Sequence, residues 1–274
     1  MPSTDAPIDL ERLAGVLAET VREGGAIAAR MFREGAERWT KSDNSPVTEA
    51  DLAVDRFLAE HLPPLVDGSG WLSEETADTP ERLTRRRVWV VDPIDGTRAF
   101  IEGRPEWVVS VALVEDGAPV AGVVFDACND VTFEAFRGLG ARRNGEPMVT
   151  PDPPLLEGAR VGGPKSLLGP LESYGVSRGP WLYALANRLV KVASGGLDAA
   201  IARPNAHDWD IAAAHLILEE AGARLTNFDG AVPAYNRATT RHAGLVAAPP
   251  ARHRALLAAL HTERETLAAL EPYR

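Results

Sequence analysis

Residues 91–100 read Val91-Asp-Pro-Ile-Asp-Gly-Thr-Arg-Ala-Phe100, directly after Arg87-Val-Trp-Val, a run with the look of a strand entering a core. That strand ends on Asp92, and Asp95 follows three residues later, ahead of Gly96-Thr97. Two carboxylates so close repel each other unless something cationic lies between them. Pro93 fixes one backbone angle, Gly96 relaxes the next turn, and the Ile94 carbonyl between the two acids is a further oxygen donor. Taken alone, Asp-x-x-Asp is turn chemistry more often than a metal site, so its reading depends on what the rest of the chain brings to it.

Upstream, apolar residues at Leu10, Leu13, Leu17, Val21, Ile27 and Met31 predict an amphipathic helix over 8–35. Thr48-Glu-Ala-Asp51 opens a second that Pro63-Pro64 ends. Downstream, Trp107–Val114, Val120–Phe125 and Val131–Phe136 read as strands, the first two joined by Glu115-Asp-Gly117, and Gly138-Leu-Gly140 reads as a strand-to-strand turn. From about residue 155, short apolar runs alternate with helical stretches, Tyr183–Ser194 and Asp210–Ala221 among them, and a last helix is predicted from Arg252 to Leu270. The fold class is α+β. An α+β half (1–150) joins an α/β half (151–274), with the seam near Thr150-Pro-Asp-Pro-Pro.

Three apolar runs end on acids: Leu72-Ser-Glu74-Glu75, the stretch around Asp92 and Asp95, and Trp209-Asp210. Strand ends beside helix starts are where open α/β folds build sites. Carboxylates without cysteines or paired histidines favour hard cations, so Mg2+ is expected, with Mn2+ or Ca2+ able to take the same ligands. A helix starting at Gly96-Thr97 would point free N–H groups at a phosphate. Each piece also has a plain reading. Thr48-x-x-Asp51 serves equally as a capping box, Glu74-Glu75 as solvated surface, and Trp209-Asp210 as a core tryptophan beside a helix-start acid.

Composition narrows the partners. A net charge of −10 argues against a nucleic-acid polymer, and small phosphorylated molecules remain open. No apolar run approaches the roughly 20 residues needed to span a bilayer, and the N-terminus lacks the pattern of a signal peptide. Cys128, the single cysteine, excludes an intrachain disulfide, and a reducing cytoplasm is the expected location. The six histidines show no zinc spacing, Gly162-Gly-Pro-Lys-Ser166 is not a P-loop, and no Gly-x-Ser-x-Gly is present.

Taken together, Val91-Asp-Pro-Ile-Asp-Gly-Thr97, the upstream Ser73-Glu-Glu75 and the downstream Trp209-Asp-Ile-Ala-Ala-Ala214 resemble the inositol monophosphatase superfamily of Mg2+-dependent, lithium-sensitive phosphatases, over about Val21 to Val246. The resemblance implies a layered αβαβα sandwich and two or three Mg2+ ions. It places Glu74, Asp92 and the Ile94 carbonyl on the first ion and Asp92, Asp95 and Asp210 on the second. Attack by water would involve Glu74 and Thr97, with Asp51 accepting from the Thr97 hydroxyl. It also implies a small phosphorylated metabolite as substrate, with Gly96 and Thr97 at its phosphate, and admits a homodimer, common in the inositol branch.

Within that superfamily, Lys41-Ser-Asp-Asn-Ser-Pro-Val-Thr-Glu-Ala-Asp51 looks like the 3'(2'),5'-bisphosphate nucleotidase branch. Arg203 stands near where inositol enzymes hold an acid, and suits a second phosphate. Lys165 falls roughly at that branch's nucleotide-contacting motif, and Arg188 near a phosphate-contacting lysine. The expected reaction converts 3'-phosphoadenosine 5'-phosphate to AMP and phosphate. The alternatives are inositol monophosphate and histidinol phosphate, the latter suggested by Gly96-Thr-Arg-Ala-Phe-Ile-Glu-Gly-Arg-Pro105. A non-catalytic regulatory or binding role is the alternative of another class.

Overall fold

The structure, a computed structural model, describes residues 7–41, 46–153 and 155–269. Ser42–Ser45 of the branch-like stretch, Pro154 of the seam, Leu270 of the last helix and the first six residues lie outside the described residues. In chain order the first half comprises α1 (Leu10–Glu34), β1 (Arg38–Thr40), β2 (Pro46–Thr48), α2 (Glu49–His61), β3 (Gly70–Ser73), β4 (Arg87–Asp95) and the short α3 (Thr97–Ile101). It continues with β5 (Val108–Glu115), β6 (Ala118–Asp126), β7 (Val131–Phe136), β8 (Ala141–Arg143) and β9 (Glu146–Met148). Then follow β10 (Arg160–Gly162), α4 (Lys165–Leu168), β11 (Ser177–Arg178), α5 (Leu185–Ala193), β12 (Ala199–Ala202) and α6 (Asp208–Glu220). The chain closes with β13 (Arg224–Asn227), β14 (Leu245–Ala248), α7 (Pro250–Thr262) and α8 (Arg264–Ala269).

The described strands form a seven-stranded sheet in sequence order β3 to β9, a five-stranded sheet ordered β11-β10-β12-β14-β13, and the β1–β2 hairpin. Side chains alternate across each sheet, and this period of two builds the layers. Along β4, Trp89 and Val91 pack with Leu17, Val21, Val54 and Leu58 of α1 and α2, whereas Val88 and Val90 join Leu189, Ile211 and Leu216 of α5 and α6. Along β14, Leu245 and Ala247 face that same middle core, while Val246 and Ala248 join Leu256 and Leu260 of α7. Three cores thus fill the four interfaces of five layers, α1/α2, sheet, α5/α6, sheet and α7, the middle core lying on both faces of α5/α6, which is the αβαβα sandwich. The middle layer lies close, because a Cβ on Gly122 of β6 would come within 2.7 Å of the Ala213 carbonyl of α6.

Three features differ from the sequence reading. β3, not read as a strand, pairs parallel to β4 at the edge of the large sheet. In the second half β10 pairs parallel to β11 and β12, but β14 runs antiparallel to both β12 and β13, so that sheet is mixed. The last helix is also broken, with Glu263 between α7 and α8. Among the described residues no helix is long and apolar enough to cross a membrane.

Candidate active site

β4 does not stay regular to its end. Asp92 pairs with Ser110 and Asp95 with Val108, so three steps on β4 oppose two on β5. Pro93, with no N–H to give the ladder, lies inside this bulge. In an unbroken strand residues three apart face opposite sides. The extra residue resets that alternation and lets both carboxylates act on one region. Asp92 Oδ1 accepts from the Ile94 N–H at 3.1 Å, and the Ile94 carbonyl lies 3.1 Å from the Thr97 hydroxyl.

Gly96 turns the chain with φ +94°, and a Cβ there would lie 3.1 Å from the Ala184 Cβ and 3.3 Å from its nitrogen. That close approach brings the start of α5 onto Asp95. Its Oδ1 accepts from Leu185 N–H at 3.2 Å and its Oδ2 from Ala186 N–H at 2.6 Å. Asp95 therefore caps a helix from a different part of the chain. Gly96→Ala is expected to cost about 1–3 kcal/mol through a non-glycine residue forced to positive φ. A lowered denaturant midpoint at unchanged m-value would register it, and a wild-type midpoint would contradict it.

The other acids arrive on helix starts. Asp51, at the third position of α2, accepts with Oδ2 from the Thr48 N–H (2.8 Å) and hydroxyl (2.6 Å), while its Oδ1 lies 3.2 Å from the Thr97 hydroxyl. Asp210 stands at the same position of α6, its Oδ2 accepting from the His207 N–H at 2.7 Å. Glu74 follows β3, its N–H bonded to the Val91 carbonyl at 3.2 Å. Lys41, at the end of β1, reaches Glu75 Oε1 at 2.6 Å and Glu74 Oε1 at 3.4 Å.

These groups share one electrostatic environment. Burial pushes Glu74 up to about 7; Lys41 opposes the rise, and Asp210 and Asp51 add to it. Burial, then Glu74, Asp95, Asp210 and Asp51, holds Asp92 well above the usual carboxylate range. Asp95 is pushed to about 7 by burial against the Ala186 and Leu185 N–H groups, and Asp210 to about 7 by burial and by Asp95. Glu75 reaches about 7 by burial despite Lys41, and burial raises Asp51. Burial draws the Lys41 ammonium down, but the charges of Glu74 and Glu75 outweigh it and its pKa is raised.

The donor set is therefore oxygen-rich, buried at Asp92 and Asp95 and half-buried at Glu74 and Asp210, and short of positive charge, which fits a hard divalent cation. Among the described residues, no three His, Cys, Asp or Glu side chains already stand arranged to hold a metal ion. Each acid instead bonds a backbone N–H or a lysine, and the cluster is held together by those bonds.

The predicted cationic residues divide. Lys165 and Arg203 line a cleft of about 930 Å³ together with Ser166, Arg178 and Trp181, where Arg203 Nη2 lies 2.6 Å from the Ser166 hydroxyl. Arg188 is buried, donating to the carbonyls of Leu182 (2.8 Å) and Ile201 (3.3 Å), with its guanidinium 5.4 Å from the Trp181 ring. It braces the start of α5 and its charge acts on Asp95. The acids do not line this cleft, but Arg188 stands between its Trp181 wall and Asp95. Sequence reasoning missed Lys41 as a partner of the acids and Arg178 and Trp181 as cleft walls. His215 hydrogen-bonds the Tyr235 hydroxyl at 2.8 Å, and His207 stacks on Trp209 with centroids 4.4 Å apart.

The family model for the inositol monophosphatase family matches residues 9–266. Among similar proteins, a Streptomyces griseus protein named glucose-1-phosphate thymidylyltransferase is 35% identical over 245 residues, covering 84% of this chain and 89% of its own. A 3'(2'),5'-bisphosphate nucleotidase CysQ of Aggregatibacter actinomycetemcomitans is 37% identical over 140 residues, about half of each chain (50% and 52%). A histidinol-phosphatase of Mycobacterium tuberculosis is 34% identical, with 70% and 77% covered. The crystal structure of the extragenic suppressor protein suhB from Bartonella henselae superposes with a TM-score of 0.80 at 25% identity, covering 91% of this chain and 98% of that one.

Proposed function

The chain belongs to the inositol monophosphatase family, a family of phosphatases, and on that premise we propose that it is a Mg2+-dependent phosphomonoesterase acting on 3'(2'),5'-bisphosphate nucleotides, with 3'-phosphoadenosine 5'-phosphate giving AMP and phosphate. The observation that carries the chemistry is the gathering of acids from four separate segments, Asp51, Asp92 and Asp95 buried and Glu74 and Asp210 half-buried, around so little positive charge. Glu74, Asp92 and the Ile94 carbonyl would hold one divalent cation, and Asp92, Asp95 and Asp210 a second. When bound, such ions polarise the phosphoester and lower the pKa of water.

The chain's own groups supply the rest. The Thr97 hydroxyl gives its proton toward Asp51 Oδ1, which leaves a Thr97 lone pair to receive a proton from water. The raised pKa of Asp51 makes it the stronger base behind that threonine. Glu74 would serve as a second acceptor for that water, and Gly96 and Thr97 would give their N–H groups to the phosphoryl oxygens. The single cysteine suits a reducing cytoplasm.

The nucleotide reading is supported by the cleft beyond Arg188. Lys165, Arg178 and Arg203 supply positive charge there and the half-exposed Trp181 supplies a stacking face, a pairing that suits a second phosphate next to a base. Histidinol phosphate is the second reading, favoured by the 34% identity to the mycobacterial histidinol-phosphatase.

Turnover measured side by side on 3'-phosphoadenosine 5'-phosphate, inositol 1-phosphate and histidinol phosphate, with and without Mg2+, ranks the substrates; the bisphosphate is expected first. Arg203→Ala is expected to lower kcat/KM for the bisphosphate by about 10- to 100-fold, the scale of one charge-assisted hydrogen bond, while changing histidinol phosphate turnover little. Equal loss on both substrates would remove Arg203 from the second-phosphate role.

A further inference from the structure

Helix α2 carries a second buried acid one turn beyond Asp51. Asp55 is 7% exposed, and its two oxygens go to the residues flanking Glu74-Glu75. The Ser73 hydroxyl donates to its Oδ1, and the Thr76 hydroxyl donates to its Oδ2 at 2.8 Å. A hydroxyl has one proton to give and lone pairs to receive. Having donated to Asp55, Ser73 Oγ accepts from the Glu75 N–H at 3.3 Å, and Thr76 Oγ1 accepts from Trp71 Nε1 at 3.3 Å. The turn carrying Glu74 and Glu75 is thus pinned at its entry and its exit by one carboxylate.

Residues four apart share a helix face. From that face Asp51 reaches Thr97 and Asp55 reaches the Glu74 turn, so α2 sets two parts of the acid cluster at a fixed separation. We infer that Asp55 is a positioning residue: it holds the Glu74-Glu75 turn in place against the repulsion of Asp92 and Asp210, and so sets the affinity for the first divalent cation. The inference rests on Glu74 being a ligand, as proposed above.

Mn2+ binding, followed by the electron paramagnetic resonance signal of the free ion, tests it without recourse to turnover. Asp55→Ala is expected to weaken binding by about tenfold or more, the scale set by groups that orient metal ligands. Asp55→Asn can accept from one hydroxyl and donate to the other, and is expected to restore most of that loss. Should Asp55→Ala not fold, Ser73→Ala removes half the bracket with little change in packing and is expected to lower affinity in the same direction. Wild-type affinity in these variants, with Glu74→Gln impaired, would overturn the inference and leave the Glu74 assignment standing. A loss in Asp55→Asn equal to that in Asp55→Ala would overturn it in favour of charge alone. Unimpaired binding in Glu74→Gln would remove the ligand assignment and this inference with it.

Discussion

Asp95→Asn is expected to lower turnover roughly a thousandfold or more while leaving a folded protein, because losing about 4 kcal/mol of transition-state stabilisation divides the rate constant by about that factor. The substitution removes one negative charge from a cluster proposed to hold two cations and keeps the side-chain volume. It also alters the cap of α5. The asparagine carbonyl can keep one of the two bonds from Leu185 and Ala186, but its amide nitrogen must face the other N–H. Losing half a cap costs on the order of 0.5–2 kcal/mol. Removing a charge whose neighbours repel it works in the opposite direction. The thermal midpoint should therefore move little while activity collapses. Near-normal turnover in a folded Asp95→Asn protein would remove Asp95 from the ligand set.

Asp95 also shows how much of the site was legible in the sequence and why the rest was not. The acids could be gathered because three apolar runs end on them, whereas the layered sandwich was implied by the family resemblance alone, since Val88-Trp-Val-Val91 is apolar throughout and does not show which side chain faces which layer. For Thr48-x-x-Asp51, the capping box and the second role do not compete. One Asp51 oxygen closes the box and the other faces Thr97, a division that spacing cannot reveal. The same position recurs in Asp210 at the start of α6. What stayed hidden depends on long-range geometry. The β4 bulge is a register fact set by β5. The Lys41 pair joins residues more than thirty apart, and Asp55 reads in sequence only as another acid on a helix. Arg188 resembles a phosphate contact by position, yet the fold buries it under Trp181 and spends its donors on backbone carbonyls. Arg178 and Trp181 lie where no periodicity marks them.

The metal-free protein is expected to lose stability as pH rises from about 4 to about 7, and Mg2+ to cancel or reverse that loss. Glu74, Glu75, Asp95 and Asp210 are each raised to about 7 in the fold, from ordinary values of 4.5 for the glutamates and 3.8 for the aspartates. Across that window the native state holds protons that the unfolded chain has released. The slope of unfolding free energy with pH follows protons bound unfolded minus protons bound folded, so it is negative there. Below the window both states are protonated, and above it these four carboxylates are ionised in the fold as well, while Asp92, held well above the usual carboxylate range, extends the loss in the same direction. His253, lowered by burial and by Arg224 and Arg254, contributes with the opposite sign below its ordinary 6.5. A cation bound only by ionised carboxylates competes with those protons, so its stabilisation, RT ln(1 + [Mg2+]/Kd), about 2.7 kcal/mol at a hundredfold excess over Kd, should grow with pH up to about 7 and then level off. His253 titrates with or without the ion, so the difference between thermal midpoints with and without Mg2+ isolates the acid cluster. A Mg2+ effect of equal size at pH 5 and pH 8 would mean that these carboxylates do not bind the ion.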